Sequence, residues 1–147
     1  MYRRALVPTD GSELSRVALA HVPVVASSAV VFRVPLDVEE LLSAGAEQVD
    51  LDRESADRWR EAELARVQQD LGAAADQLRT AGLSEVSTAV GGGHAGEAIV
   101  RAAKEQGCDV IVMATHGRTG IRRAMLGSVA GYVANHAEGS AVLLVRE

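Results

Sequence analysis

The feature that most constrains this chain is an alternation. Short, β-branched apolar runs are each followed by a stretch with a helical signature. The runs are Arg4 to Pro8, Ala29 to Val34, Glu85 to Val90, Asp109 to Thr115 and Ser140 to Val145. Strands that alternate with helices pair in parallel, with helices packed on the sheet. The fourth run, Val110-Ile111-Val112-Met113-Ala114, is continuously apolar, as a strand covered on both faces must be. The expected fold is therefore α/β: an open five-stranded parallel sheet with helices on both faces. No second composition regime, low-complexity segment or internal repeat breaks the pattern, so residues 1–147 read as a single domain.

The helices announce themselves by period and punctuation. Leu64, Val67, Leu71, Ala74 and Leu78 form an apolar stripe at helical spacing, predicted to face inward, with Gly82 as its stop. A second helix is predicted from about Glu97 to Gln106, with Ile99, Ala102 and Ala103 inward and Gly107 beyond it. A third opens near Ser128, carries Val129, Val133 and Ala137, and stops at Gly139. The first helix, after Ser12, meets Pro23, which predicts a kink or an early end.

Composition removes whole classes of function. The net charge of −5 opposes general binding to phosphate backbones, so no nucleic-acid partner is expected. Aromatic residues are only 3% of the chain, which excludes a base-stacking platform. A bound base would then rest on aliphatic groups and backbone, not between rings. Cys108 is the single cysteine, which excludes an internal disulfide and a multi-cysteine zinc site; it reads as packed, not nucleophilic. No apolar run reaches the roughly 18 residues of a spanning helix, and Met1-Tyr2-Arg3-Arg4 leads straight into a strand, so a cytoplasmic protein is expected. Residues 37–63 carry ten acidic groups against three arginines, which reads as a solvated face.

In open parallel sheets, ligands bind beyond the carboxyl ends of the strands, where strand order reverses. Three strand exits carry signals. After the first strand comes Pro8-Thr9-Asp10-Gly11-Ser12, where Asp10 can accept hydrogen bonds from ribose hydroxyls or, with Ser12, merely cap a helix. After the fourth comes Ala114-Thr115-His116-Gly117-Arg118-Thr119-Gly120, and then Gly127-Ser128-Val129. Its glycines let backbone approach an anion, Gly127-Ser128 opens a helix whose N–H groups favour phosphate, and Arg118, Arg122 and Arg123 add positive charge. There is no Walker A lysine, and Ser128 stands one place too early for a hydrolase elbow.

The third exit is a rival. Gly91-Gly92-Gly93-His94-Ala95-Gly96 matches the dinucleotide fingerprint G-x-G-x-x-G between a strand and a helix. The acidic residue required at the end of the next strand is missing, because Asp109 stands at that strand's entrance. His21, His94, His116 and His136 show no metal-ligand spacing.

Taken together, Pro8-Thr9-Asp10-Gly11-Ser12, the strand from Asp109 to His116 and the spacing from Gly117 to Ser128 resemble the universal stress protein family along essentially the whole chain. Its nucleotide-binding branch has the pattern G-x2-G-x9-G-S/T, here matched by Gly117, Gly127 and Ser128, with Ala114 at the first glycine. The resemblance implies a Rossmann-like, nucleotide-binding α-hydrolase-like sheet of order 3-2-1-4-5, which brings the first and fourth strand exits together. It implies ATP or another adenine nucleotide as ligand: Asp10 on ribose, Val34 near adenine with Thr9 beside it, and Met113 and Ala114 as wall contacts. Gly117, Gly127, Ser128 and Val129 would hold the phosphates, with Arg118 close by and possible help from Mg2+. It further implies a homodimer through Val142 to Val145. The first helix is about a turn shorter than is usual for the family.

The leading expectation is an adenine-nucleotide-binding stress-response or signalling module, at most a slow ATPase, since no residue beyond Asp10 is placed as a general base. A member without nucleotide, acting as a dimeric partner-binding protein, is the alternative that Ala114 supports. A dinucleotide-dependent enzyme using Gly91 to Gly96 is the third reading.

Overall fold

The computed structural model describes residues 1–37, 52–115 and 127–146. Chain order is β1 (Tyr2–Pro8), α1 (Glu13–Leu19), α2 (Val22–Val25), β2 (Ala26–Arg33), α3 (Arg53–Thr80), β3 (Glu85–Val90), α4 (Ala95–Glu105), β4 (Val110–Thr115), α5 (Ser128–His136) and β5 (Ala141–Arg146). The strands form one parallel sheet of order β3-β2-β1-β4-β5. All five expected strands are present, each within three residues of its predicted ends.

Period-two alternation splits the strands between two cores. Ala5, Val7, Ala29, Val31, Val110 and Val112 face α1, α2 and α3. Leu6, Val30, Phe32, Ile111 and Met113 face α4 and α5. The crossovers beside β1 and β2 thus lie on one face, and those beside β4 and β5 on the other. The chain runs outward from β1 to β3, then returns to β4 on β1's opposite side. Strand order therefore reverses between β1 and β4.

The lower end of that junction is tied by Asp109, whose carboxylate accepts the Arg3 and Arg4 amides at 3.0 and 2.9 Å. Those two amides hold its carboxyl below the ordinary value. Cys108 is buried beside it, and burial pushes the thiol up to about 11, so it is a protonated packing group at neutral pH.

Pro23 acts as expected. The first helix ends at Leu19, and Pro23 sits in the first turn of the short α2, where a missing N–H costs nothing. One expectation is corrected. Leu64 does not face the core: it is 48% exposed, whereas its neighbour Glu63 is 2% exposed. At about 1.5 Å per residue, the 28-residue α3 is roughly 42 Å long, far longer than the strands beneath it. The buried stripe runs through Glu63, Val67, Leu71, Ala74 and Leu78, and Leu64, one residue on from Glu63, is turned about 100° off that face.

Candidate functional site

The exits of β1, β2 and β4 and the starts of α1, α4 and α5 enclose a cleft of about 530 Å³, the size of a small-ligand pocket. Pro8, Thr9 and Asp10 form the β1 side, with Leu14 and Ser15 of α1 behind them. Phe32, Arg33 and Val34 form the β2 side. Met113, Ala114 and Thr115 close it at β4, and Gly127, Ser128, Val129 and Ala130 at α5. Ala95 and Ile99 complete it from α4. Eight residues singled out from sequence, Thr9, Asp10, Val34, Met113, Ala114, Gly127, Ser128 and Val129, thus meet in one place. Gly117 and Arg118, with His116, Gly120, Arg122 and Arg123, lie outside the described residues.

The β1–α1 loop is held by its own hydroxyls. Ser12 is the N-cap of α1, accepting the Ser15 amide at 3.2 Å. The Ser15 hydroxyl donates to the Ser12 carbonyl at 2.9 Å, so Thr9 Oγ1, 2.8 Å away, is the donor to Ser15 Oγ, while it accepts the Gly11 amide at 3.2 Å. Thr9 therefore shapes the loop through its hydroxyl. Gly11 has φ +81, a left-handed conformation that a side chain resists.

Asp10 is exposed. Its Oδ1 accepts the amide and hydroxyl of Ser12 at 2.9 and 2.5 Å. Partial burial opposes the charge, but the Ser12 hydroxyl and amide, with a contribution from Ser15, outweigh it and hold the carboxyl below its usual value. The result is an ionised carboxylate fixed at one oxygen, with no hydrogen bond to Oδ2 from the described residues.

Across the cleft, the N-cap of α5 is Gly127, with Ser128 as the first helical residue. The sequence alternative of a serine N-cap is thereby corrected: Ser128 falls one position too late. No side chain among the described residues caps this helix, and its first-turn amides are of the kind that binds an anion. A Cβ built on Gly127 meets no heavy atom of the described residues within 4 Å.

Sequence reasoning missed two residues on the β2 side. Phe32 puts one ring in a wall expected to be purely aliphatic; its alternation with Val34 at one strand end was the available signal. Arg33 is buried and pairs with Asp70 of α3, Nη1 to Oδ2 at 2.5 Å. A charged residue inside an otherwise apolar strand was its signal.

The rival glycine run has another use. Cβ atoms built on Gly91 and Gly96 would lie 2.5 Å from the Phe32 ring and 2.8 Å from Tyr132, so these glycines admit aromatic rings. Gly91, Gly92 and Gly93 also line a separate cleft of about 320 Å³, with Pro35, Leu36, Asp37 and Arg60. Among the described residues, no cluster of three metal-ligating side chains occurs, and no helix is long and apolar enough to cross a membrane.

The sequence pattern of the universal stress protein family matches residues 1–146. Comparison with curated protein sequences finds no match. Among solved structures, the hypothetical protein MJ0577 is similar at 27% identity and TM-score 0.77, over 100% of this chain and 97% of that one. A universal stress protein in complex with cAMP is similar at 24% identity and TM-score 0.67, over 98% and 97%. A family protein from Arabidopsis thaliana with AMP bound reaches 14% identity and TM-score 0.66, over 99% and 92%.

Proposed function

Since the chain belongs to the universal stress protein family, we propose that the cleft between its β1 and β4 exits binds an adenine nucleotide, making it a stress-response or signalling module of the cytoplasm. The observation that carries this reading is the pairing, across one cleft, of an ionised carboxylate at Asp10 with the N-terminus of α5, which no side chain caps among the described residues. A nucleotide needs both ends: an acceptor for ribose hydroxyls and backbone donors for phosphate. Two solved relatives that carry AMP and cAMP support the same ligand class.

Adenine fits the β2 side. The Phe32 carbonyl is taken by the Thr9 amide at 2.8 Å, and the Arg33 carbonyl by the Gly91 amide at 3.0 Å. Peptide groups alternate along an extended chain, and Pro35 keeps Val34 extended. The Val34 N–H and C=O therefore point to the β1 side, where β1 pairing has ended. A donor beside an acceptor complements N1 and the 6-amino group of adenine. Val34 and Phe32 supply the apolar wall.

Met113 and Ala114 form the opposing wall; Gly127, Ser128 and Val129 receive the phosphates, joined by Gly117 and Arg118. The described residues hold no ready cation cage. Mg2+ would therefore arrive on the phosphates, with the Ser128 hydroxyl as a nearby ligand. Among the described residues that line the cleft, no general base faces the α5 side, and we read the cleft as a binding site, at most that of a slow ATPase.

The two sheet edges differ. In β3 four of six residues are exposed, whereas Val142, Leu143 and Leu144 of the edge strand β5 are half-buried and apolar. Such an edge needs cover, and a second copy pairing through Val142 to Val145 provides it.

The test is to denature purified protein, identify any released nucleotide by chromatography, and titrate stripped protein with ATP, AMP, cyclic AMP and NAD. Saturable binding of an adenosine phosphate is expected. Tight NAD binding without it favours the Gly91–Gly96 reading; no nucleotide binding with an intact dimer favours a partner-binding protein.

A further inference from the structure

The nucleotide-binding reading leaves a question of specificity, and the α3 side of the β2 exit bears on it. Arg33 immediately precedes Val34. Its side chain is 8% exposed and leaves the sheet on the α3 face, where Asp70 holds it. Three residues further along the same exit, the Leu36 amide reaches Glu63 Oε1 at a long 3.4 Å. Glu63 is itself buried, with Arg66 Nη2 3.3 Å from its second oxygen.

Glu63 and Asp70 are seven residues apart on α3, two helical turns, and so lie on one face. Their grips fall on either side of Val34-Pro35. The loop carrying Asp10 is seated on the same pair: a Cβ built on Gly11 would lie 2.9 Å from Arg33 Nη1 and 3.0 Å from Asp70 Oδ2.

An ion pair with its arginine buried and its carboxylate part-exposed is a poor source of net stability, since desolvation opposes the attraction, but it constrains geometry. Apolar residues at positions 33 and 70 would fill the space without fixing the peptide planes of the β2 exit. Asp70 is not among the residues that line the cleft, so it acts through Arg33 and the backbone that Arg33 carries.

We infer that Asp70 and Glu63 form a positioning clamp that sets the Val34 peptide groups and thereby the choice of base, favouring a 6-amino purine over a 6-oxo purine. This rests on the nucleotide-binding reading. Inosine triphosphate is the diagnostic probe: relative to ATP it reverses donor and acceptor at N1 and C6 and leaves ribose and phosphates unchanged.

The experiment compares ATP and inosine triphosphate affinities in the full chain for wild type, Asp70→Asn and the control Arg58→Gln, whose exposed side chain pairs only with exposed Glu54 among the described residues. Wild type is expected to prefer ATP by about tenfold or more, the scale of a reversed hydrogen-bond pair. Asp70→Asn is expected to cut that preference to about threefold or less, with Arg58→Gln as wild type. Arg33→Lys, which keeps the charge, is expected to retain more of the preference than Arg33→Met. Equal weakening of both nucleotides in Asp70→Asn, or an unchanged preference, overturns the clamp while leaving nucleotide binding intact. Wild type binding neither nucleotide overturns the underlying reading, and the clamp with it.

Discussion

Two glycine-rich exits of one sheet invite comparison: the turn after β3, Gly91 to Gly96, and the approach to α5 at Gly127. Both lead into a helix without a side-chain cap among the described residues. By motif, the β3 turn is the better match to a nucleotide-binding fingerprint. By surroundings, it is the worse. Gly91 and Gly96 lie against Phe32 and Tyr132, so their missing side chains are filled by rings. Gly127 meets no heavy atom of the described residues and lines the cleft at the strand reversal with Asp10. A glycine signals ligand approach only where the room it leaves is empty and faces a cleft with complementary groups.

That contrast is open to mutation, and the largest effect is expected at the open glycine. Gly127→Val meets no atom of the described residues and has a negative φ, −51, that a branched residue tolerates, but it fills the approach to the α5 amides. ATP affinity should fall by about 100-fold or more, with a thermal midpoint within a few degrees of wild type, as calorimetry and scanning fluorimetry would show. Gly96→Val should do the reverse. Overpacking against Tyr132 should cost roughly 1–3 kcal/mol in urea unfolding, while folded protein still binds ATP within about threefold of wild type. If Gly96→Val abolishes binding without loss of stability, the two turns have been assigned the wrong way round.

A smaller effect belongs to Asp10. Asp10→Asn keeps the Ser12 contacts in outline but removes a charged acceptor, and should weaken ATP by about tenfold. It should do so less for the 2′,3′-dideoxy nucleotide. The smallest is a null in pH. The folded-state value of Asp10 is depressed, so its contribution is fully present above the ordinary 3.8 and is lost only as pH falls through the lower folded value. The wild-type to Asp10→Asn affinity ratio should therefore stay flat between pH 8 and 5 in titration calorimetry. A ratio that collapses near pH 6 would show a carboxyl that is not held ionised.

Much of this was legible in the chain itself because the signals were local. Continuous apolar strands and glycine stops mark the elements, and Pro23 marks the break between α1 and α2. The residues of the cleft were legible in half. Asp10 and Gly127-Ser128 stand at strand exits in recognisable company. Phe32, Arg33 and Ser15 do not: each enters the cleft through a pairing or an alternation that only the assembled sheet defines. Leu64 shows the same limit from the other side. Its spacing is right, but helical period allows either the i−3 or the i−4 neighbour of Val67 on the inner face, and the buried one is the acidic Glu63. Glu63 and Asp70 have the look of ordinary surface acids in a helix full of them; their partners on β2's exit are long-range in sequence.

The comparison of the two turns is settled most directly by backbone amide resonances. In a titration of ¹⁵N-labelled protein with ATP, the amides of Gly127, Ser128 and Val129 should show the largest shifts, together with Asp10 and Val34, while Gly92 and Gly93 stay nearly still. Dominant shifts at Gly91 to Gly96, with Gly127 and Ser128 unmoved, would contradict the placement of the nucleotide at the junction of β1 and β4.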